Sequence, residues 1–457
     1  MIDQFFIDAR FSLAMQIMAY GSLLVSIALL LRRSRKSFFF SGLFLATVDP
    51  RFGLDLGVVN PSILGLYLWA ILGLTYFGFA NHRRKIQLLP FVVANRLGFV
   101  LVVMLVLLLV SLLYNFGITA KSFALIFFPY FALLPFGAAL AYGDSGAREA
   151  KFSFLRGLQV GYVIYVLLTR IFAPGEVTGA LGDISVNATI VGIMCSYGLL
   201  ITLFLMRWGA NHKLRIVDLA FLAFFAISAL QTLSRGPLIA IAAALPILLL
   251  TFNGVRLRRG RGTALLAALC IAGIVALIVG SVNEVLERRN IQLGLDWREQ
   301  LISSRYAYIL QVVDFDSIPL SSLMIGHGLG ASEQIARSLG VYRIEVFWFE
   351  AAYDIGIPLT LALFIALARN AWAMATNKSL DIGGFGSLYL SLFFFTLFLS
   401  PSSFGWFLQG NVGFVYVTIL MMACTHTNKT RSHETPAIAR SVWSGPNKGA
   451  ADVRHCR

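Results

Sequence analysis

Long apolar runs broken by short polar clusters make up most of the chain, with none of the strict alternation that marks a half-buried strand. A helix needs about 20 apolar residues to cross a bilayer core, and runs near that length recur from end to end. The pattern predicts spans over Phe11–Leu31, Pro61–Ala80, Leu97–Tyr114, Ser122–Tyr142, Gly157–Phe172, Ala188–Met206, Ile216–Leu233, Leu238–Phe252 and Thr263–Gly280. After a long hydrophilic stretch it predicts Phe347–Leu367, Gly384–Leu399 and Val412–Cys424. A shorter run, Phe38–Val48, is expected to cross as well, because the basic clusters on either side of it and its successor then face the same way.

Basic residues punctuate the runs on one side: Arg32, Arg33, Arg35 and Lys36; His82 to Lys85; Arg207 to Arg215; Arg256 to Arg261. The positive-inside preference makes these ends cytoplasmic, together with a mixed-charge loop over Asp144–Arg156. The expected fold is therefore all-α and polytopic, with about 12–14 transmembrane helices. Its divisions are residues 1–280 (N-terminal helices), 281–345 (a large periplasmic loop), 346–425 (C-terminal helices) and 426–457, a polar tail expected to be disordered.

Composition agrees. Hydrophobic residues form 58% of 457 and charged residues 13%, with mean hydropathy +0.78, more apolar surface than a water-soluble core can bury. The net charge of +15 sits in the punctuating clusters rather than on one module, which argues for membrane orientation and against nucleic acid. Cys195, Cys270 and Cys424 lie in apolar runs and Cys456 in the tail, so neither a disulfide framework nor a thiolate metal site is expected. No cofactor is expected.

The hydrophilic segment from Ser281 to Glu345 departs from the rest. It holds six arginines (Arg288, Arg289, Arg298, Arg305, Arg337, Arg343), no lysine and eight acids. A solvated cap with internal ion pairs accounts for such a set. Guanidinium also grips phosphate bidentately where lysine offers a point charge, and arginines beside an outer membrane surface suit a pyrophosphate. Arg170 and Arg235 stand at outer helix ends, where snorkelling and a polar cavity both explain a charge. Arg235 lies in a tight Ser234-Arg235-Gly236-Pro237 turn.

Gly326-His327-Gly328-Leu329-Gly330 supplies permissive backbone near the arginines, for approach to a phosphate or sugar or for a plain helix-breaking turn. Glu345, Phe349 and Tyr353 follow i, i+4, i+8 spacing and share one helix face. A carboxylate at Glu345 can take a proton from a sugar hydroxyl or pair with Arg343 or Arg305. Glu350 and Asp354 lie deeper on that helix, where ionisable groups face a polar interior. Phe404, Trp406 and Phe407 fit either sugar stacking or an interfacial belt.

Three patterns resemble the O-antigen ligase and Wzy polymerase superfamily: Ser234-Arg235-Gly236; Ser304-Arg305 leading to Gly326–Gly330; and Glu345 through Gly356, closing Asp354-Ile-Gly-Ile-Pro358. Ligases tend to carry histidine, often followed by asparagine, where this chain has Glu345-Val346, which resembles the polymerase branch. The resemblance implies a glycosyltransferase of the bacterial inner membrane. It would join undecaprenyl-pyrophosphate-linked oligosaccharide units on the periplasmic face into an O-antigen, capsule or exopolysaccharide. It implies that Arg235 and Arg305 hold the pyrophosphate with Arg170 or Arg288 assisting, and that Glu345 is the base or orients the acceptor hydroxyl. Arg289, His327, Gly328, Arg343 and Tyr353 complete the expected substrate-binding set. Membrane lipid, a chain-length regulator and a flippase are the implied partners. Transfer of a finished chain by a ligase and transport of the same lipid-linked unit are the alternatives.

Overall fold

The computed structural model describes residues 9–32, 34–48, 144–172, 188–208, 215–232, 234–251, 320–327, 331–332, 347–362, 364–365 and 385–399. Among them every regular element is a helix: α1 Ala9–Leu31, α2 Ser37–Thr47, α3 Asp144–Phe172, α4 Ala188–Trp208, α5 Arg215–Gln231, α6 Arg235–Thr251, α7 Leu320–Ile325, α8 Phe347–Ile355 and α9 Phe385–Leu399. Three segments, Arg10–Leu31, Glu149–Phe172 and Ala188–Trp208, are long and apolar enough to cross a membrane. The described part of the protein is thus helical, and its apolar helices point to a membrane.

One buried cluster joins these helices, running from Phe11 and Met15 of α1 through Leu158 and Tyr162 of α3 and Tyr197 of α4 to Ala351 of α8 and Tyr389 of α9. Its packing follows small residues. In α3, Gly157 and Gly161 are four apart, and α2 lies against that stripe so closely that a Cβ on Gly157 would stand 1.9 Å from the Phe39 carbonyl oxygen. A Cβ on Gly42 of α2 would stand 2.2 Å from the Phe154 oxygen. Small residues four apart let helix backbones approach in lipid, where dispersion rather than water exclusion drives association. Ser26 of α1 adds polar glue, its hydroxyl donating to the Ser37 carbonyl at 3.0 Å and lying 2.8 Å from that of Ser41. We expect Gly157→Leu to push α2 off α3 and to destabilise the protein by about 1–3 kcal/mol, read as a lower thermal midpoint in detergent.

Four elements differ from the expected pattern. The run Phe38–Val48 yields an 11-residue helix, about 16 Å long against a hydrocarbon core of about 30 Å. It ends at Thr47 because Val48 turns extended (φ −69, ψ 123). The Asp144–Arg156 stretch, expected as a loop, is the first half of α3. Three of its charges have partners in the helix: Glu149 pairs with Arg35, buried Lys151 sits 5.4 Å over the Phe385 ring, and Arg156 pairs with Asp218. The Ser-Arg-Gly-Pro sequence opens α6 rather than forming a separate turn. Pro237 falls in the first helical turn, where a missing N–H leaves no bond unmade.

The fourth is the predicted single span Phe347–Leu367. It is helical over Phe347–Ile355, breaks at Gly356, and resumes at residues 357–362. Stacking of Phe364 on Phe393 (centroids 6.1 Å apart) holds the resumed segment against α9.

Candidate functional site

The break at Gly356 organises the site. Gly356 has φ +81, and its N–H donates to the Ala352 carbonyl at 2.9 Å, closing α8 with a left-handed cap. Its own carbonyl accepts the Thr360 N–H at 3.1 Å and the Thr360 hydroxyl at 2.8 Å. Glycine followed two residues later by Pro358 is a stop signal legible in the sequence.

A second left-handed glycine meets it. The short helix α7 ends in Gly326 (φ +80), whose N–H donates to the Ser322 carbonyl at 2.8 Å. The two turns lie back to back: a Cβ on Gly326 would stand 2.4 Å from the Asp354 carbonyl oxygen, and one on Gly356 2.4 Å from that of Met324. Both positions therefore need glycine twice over, for φ and for space.

His327 is carried onto the end of α8 by this contact. Its N–H donates to the Tyr353 carbonyl at 2.9 Å, which satisfies one of the acceptors a helix leaves orphaned at its C-terminus. Its Nδ1 lies 3.2 Å from the same oxygen. A carbonyl only accepts, so that contact places the proton on Nδ1 in the neutral ring. The imidazole stacks on the Tyr353 ring with centroids 4.1 Å apart and planes 10° apart. Phe349 stacks on Tyr353 in turn at 5.8 Å, as the shared helix face predicts.

Further along, Asp354 is buried, and its Oδ1 accepts the Ser332 N–H at 2.8 Å where the chain is again helical. Glu350, one turn earlier on α8, is also buried. Beneath the paired glycines opens an apolar crevice of about 380 Å³ lined by Met324, Ile325, Ile355, Pro358, Leu359 and Ala362.

The structure thus brings His327 and Tyr353 together. Arg170 is engaged elsewhere. Its Nη2 donates to Ser228 Oγ at 2.8 Å and to Gln231 Oε1 at 2.5 Å, its guanidinium lies 5.4 Å over the Phe224 ring, and its buried Nε has no partner. The side chain thus ties α3 to α5. Arg235 is the first residue of α6. Glu345, Arg305, Arg288, Arg289, Gly328 and Arg343 lie outside the described residues.

A polar cluster absent from the sequence expectations lies toward the other end of α3. Arg156 binds the Asp218 carboxylate with both terminal nitrogens, Nη2 to Oδ2 at 2.7 Å. Gln159 Nε2 donates to Asp218 Oδ1 at 3.2 Å and to Thr202 Oγ1 at 2.9 Å, so α3, α4 and α5 meet there. Arg156 and Arg170 both address α5, and charge spacing along α3 and α5 was the available signal for it.

No family model and no curated protein matches this chain.

Proposed function

We propose that this protein polymerises undecaprenyl-pyrophosphate-linked oligosaccharide units at the periplasmic face of a bacterial inner membrane. The observation that carries this reading is the docking of Gly326-His327 onto Tyr353–Gly356. Two sequence patterns 26 residues apart, singled out separately for the same chemistry, form one turn-on-turn unit. Residues 328–346, which hold Arg337 and Arg343, join these two halves in sequence.

In the proposed step, a hydroxyl of the incoming unit attacks the anomeric carbon of the growing chain. The bond from that carbon to the pyrophosphate oxygen breaks, and the electron pair leaves with the lipid pyrophosphate. Arg305 and Arg235 stabilise the charge developing on the leaving group, and Glu345 takes or directs the hydroxyl proton. The leaving group is already activated, so the reading calls on no metal.

The test is the size profile of lipid-linked and surface glycans in a strain lacking the protein. We expect single units to accumulate, long chains to return with wild type, and Arg305→Ala to lower chain formation about a hundredfold. Glu345→Gln with unchanged rate and chain length would remove the base assignment. Long lipid-linked chains stranded without transfer would identify a ligase.

The broken helix favours a second reading, transport of the same lipid-linked unit, because discontinuous helices build substrate sites in transporters. Units trapped on the inner leaflet of the deletion strain would decide for it.

A further inference from the structure

We propose that Asp354 is the positioning residue of this site, acting as a hydrogen-bond acceptor rather than through its charge. This rests on the reading that the outer segment holds a lipid-pyrophosphate donor. Both described ends of the stretch from Gly326 to Ser332 are fixed to one turn of α8. At one end the Tyr353 carbonyl holds the His327 N–H at 2.9 Å, and the Gly326 backbone abuts the Asp354 carbonyl too closely for any Cβ. At the other end Asp354 Oδ1 holds the Ser332 N–H at 2.8 Å.

Chemistry favours an acceptor role. The carboxylate is buried, 7% exposed, and one oxygen is committed to a main-chain donor. Capping a helical turn needs an oxygen at that reach, and asparagine provides it as well as aspartate does. Alanine leaves the buried Ser332 N–H without its acceptor, so that end of the stretch leaves α8. If the placed arrangement then falls to about a tenth of the population, the apparent KM for donor rises about tenfold while kcat changes little.

The experiment compares wild type, Asp354→Asn and Asp354→Ala as full-length protein in membranes. It uses the single lipid-linked units that accumulate in the deletion strain as substrate, and measures hydrogen exchange of residues 326–332 in parallel. We expect Asp354→Asn to match wild type in KM, kcat and exchange, and Asp354→Ala to raise KM about tenfold with faster exchange. Should Asp354→Ala fail to fold, Ser332→Pro removes the same hydrogen bond from the donor side and must give the same KM rise. Loss of activity in Asp354→Asn with exchange unchanged overturns the proposal, because the charge then takes part in the reaction. Unchanged exchange in Asp354→Ala overturns it equally. If wild type makes no chains from these units, the polymerase reading fails, and the exchange comparison still decides whether Asp354 anchors the segment.

Discussion

Gly356→Ala is expected to lower stability by roughly 2–5 kcal/mol, read as a fall in thermal midpoint of the detergent-solubilised protein, and to abolish glycan chain formation. Two costs combine. A left-handed backbone costs an L-residue about 1–2 kcal/mol, and overpacking adds roughly 1–3 kcal/mol. At φ +81 the new Cβ would stand 2.4 Å from the Met324 carbonyl oxygen and 3.0 Å from the Ile325 carbonyl carbon, backbone atoms that cannot rotate aside. Relief requires α7 to lift from α8, which separates His327 from Tyr353. Gly21→Ala is the control: nothing lies within 4 Å of a Cβ there, and alanine in a helix interior gains about 0.5–1 kcal/mol over glycine. Equal midpoints for Gly356→Ala and wild type would disprove the paired-glycine contact.

Asp218→Ala is expected to destabilise by about 3–5 kcal/mol, since it strands the Arg156 guanidinium in a largely buried place. The Asp218 side chain is 2% exposed and that of Arg156 19%, so water reaches the pair poorly from either side. Gln159 would keep one contact, its Oε1 accepting from Arg156 Nη1 at 2.8 Å, which falls short of a charged partner. The double variant Arg156→Met/Asp218→Leu is expected to recover most of the loss, because apolar residues of similar size carry no desolvation cost. A double variant as unstable as the sum of the single ones would show that the two side chains do not interact.

The limits of the helices were legible wherever hydropathy alone sets them. Ala188–Met206 was expected and Ala188–Trp208 found; Ile216–Leu233 was expected and Arg215–Gln231 found; Gly384–Leu399 was expected and Phe385–Leu399 found. Expectation failed where a partner distant in sequence overrides local polarity. The first half of α3 reads as a polar loop until Glu149, Lys151 and Arg156 are matched with Arg35, Phe385 and Asp218. Nor does the sequence show that Ser228, Gln231 and Phe224 of α5 surround Arg170.

Of the site, the shared face of Phe349 and Tyr353 followed from helical spacing, and the glycines at 326 and 356 were visible as letters. Their purpose was not, because two turns 30 residues apart in sequence give no local sign of meeting.

By itself, then, the sequence determined that the chain is helical and apolar enough for a membrane, since every backbone polar group in hydrocarbon must be satisfied within its own helix. It also marked residues as candidates for chemistry, by their type and spacing. The tertiary structure alone decided which of them stand together. It set His327 on Tyr353, gave the Asp354 carboxylate to Ser332, and turned Arg170 to α5. The physical reason is that hydropathy is a property of each residue, whereas a close approach such as Gly326 on Gly356 is a property of two backbones at once.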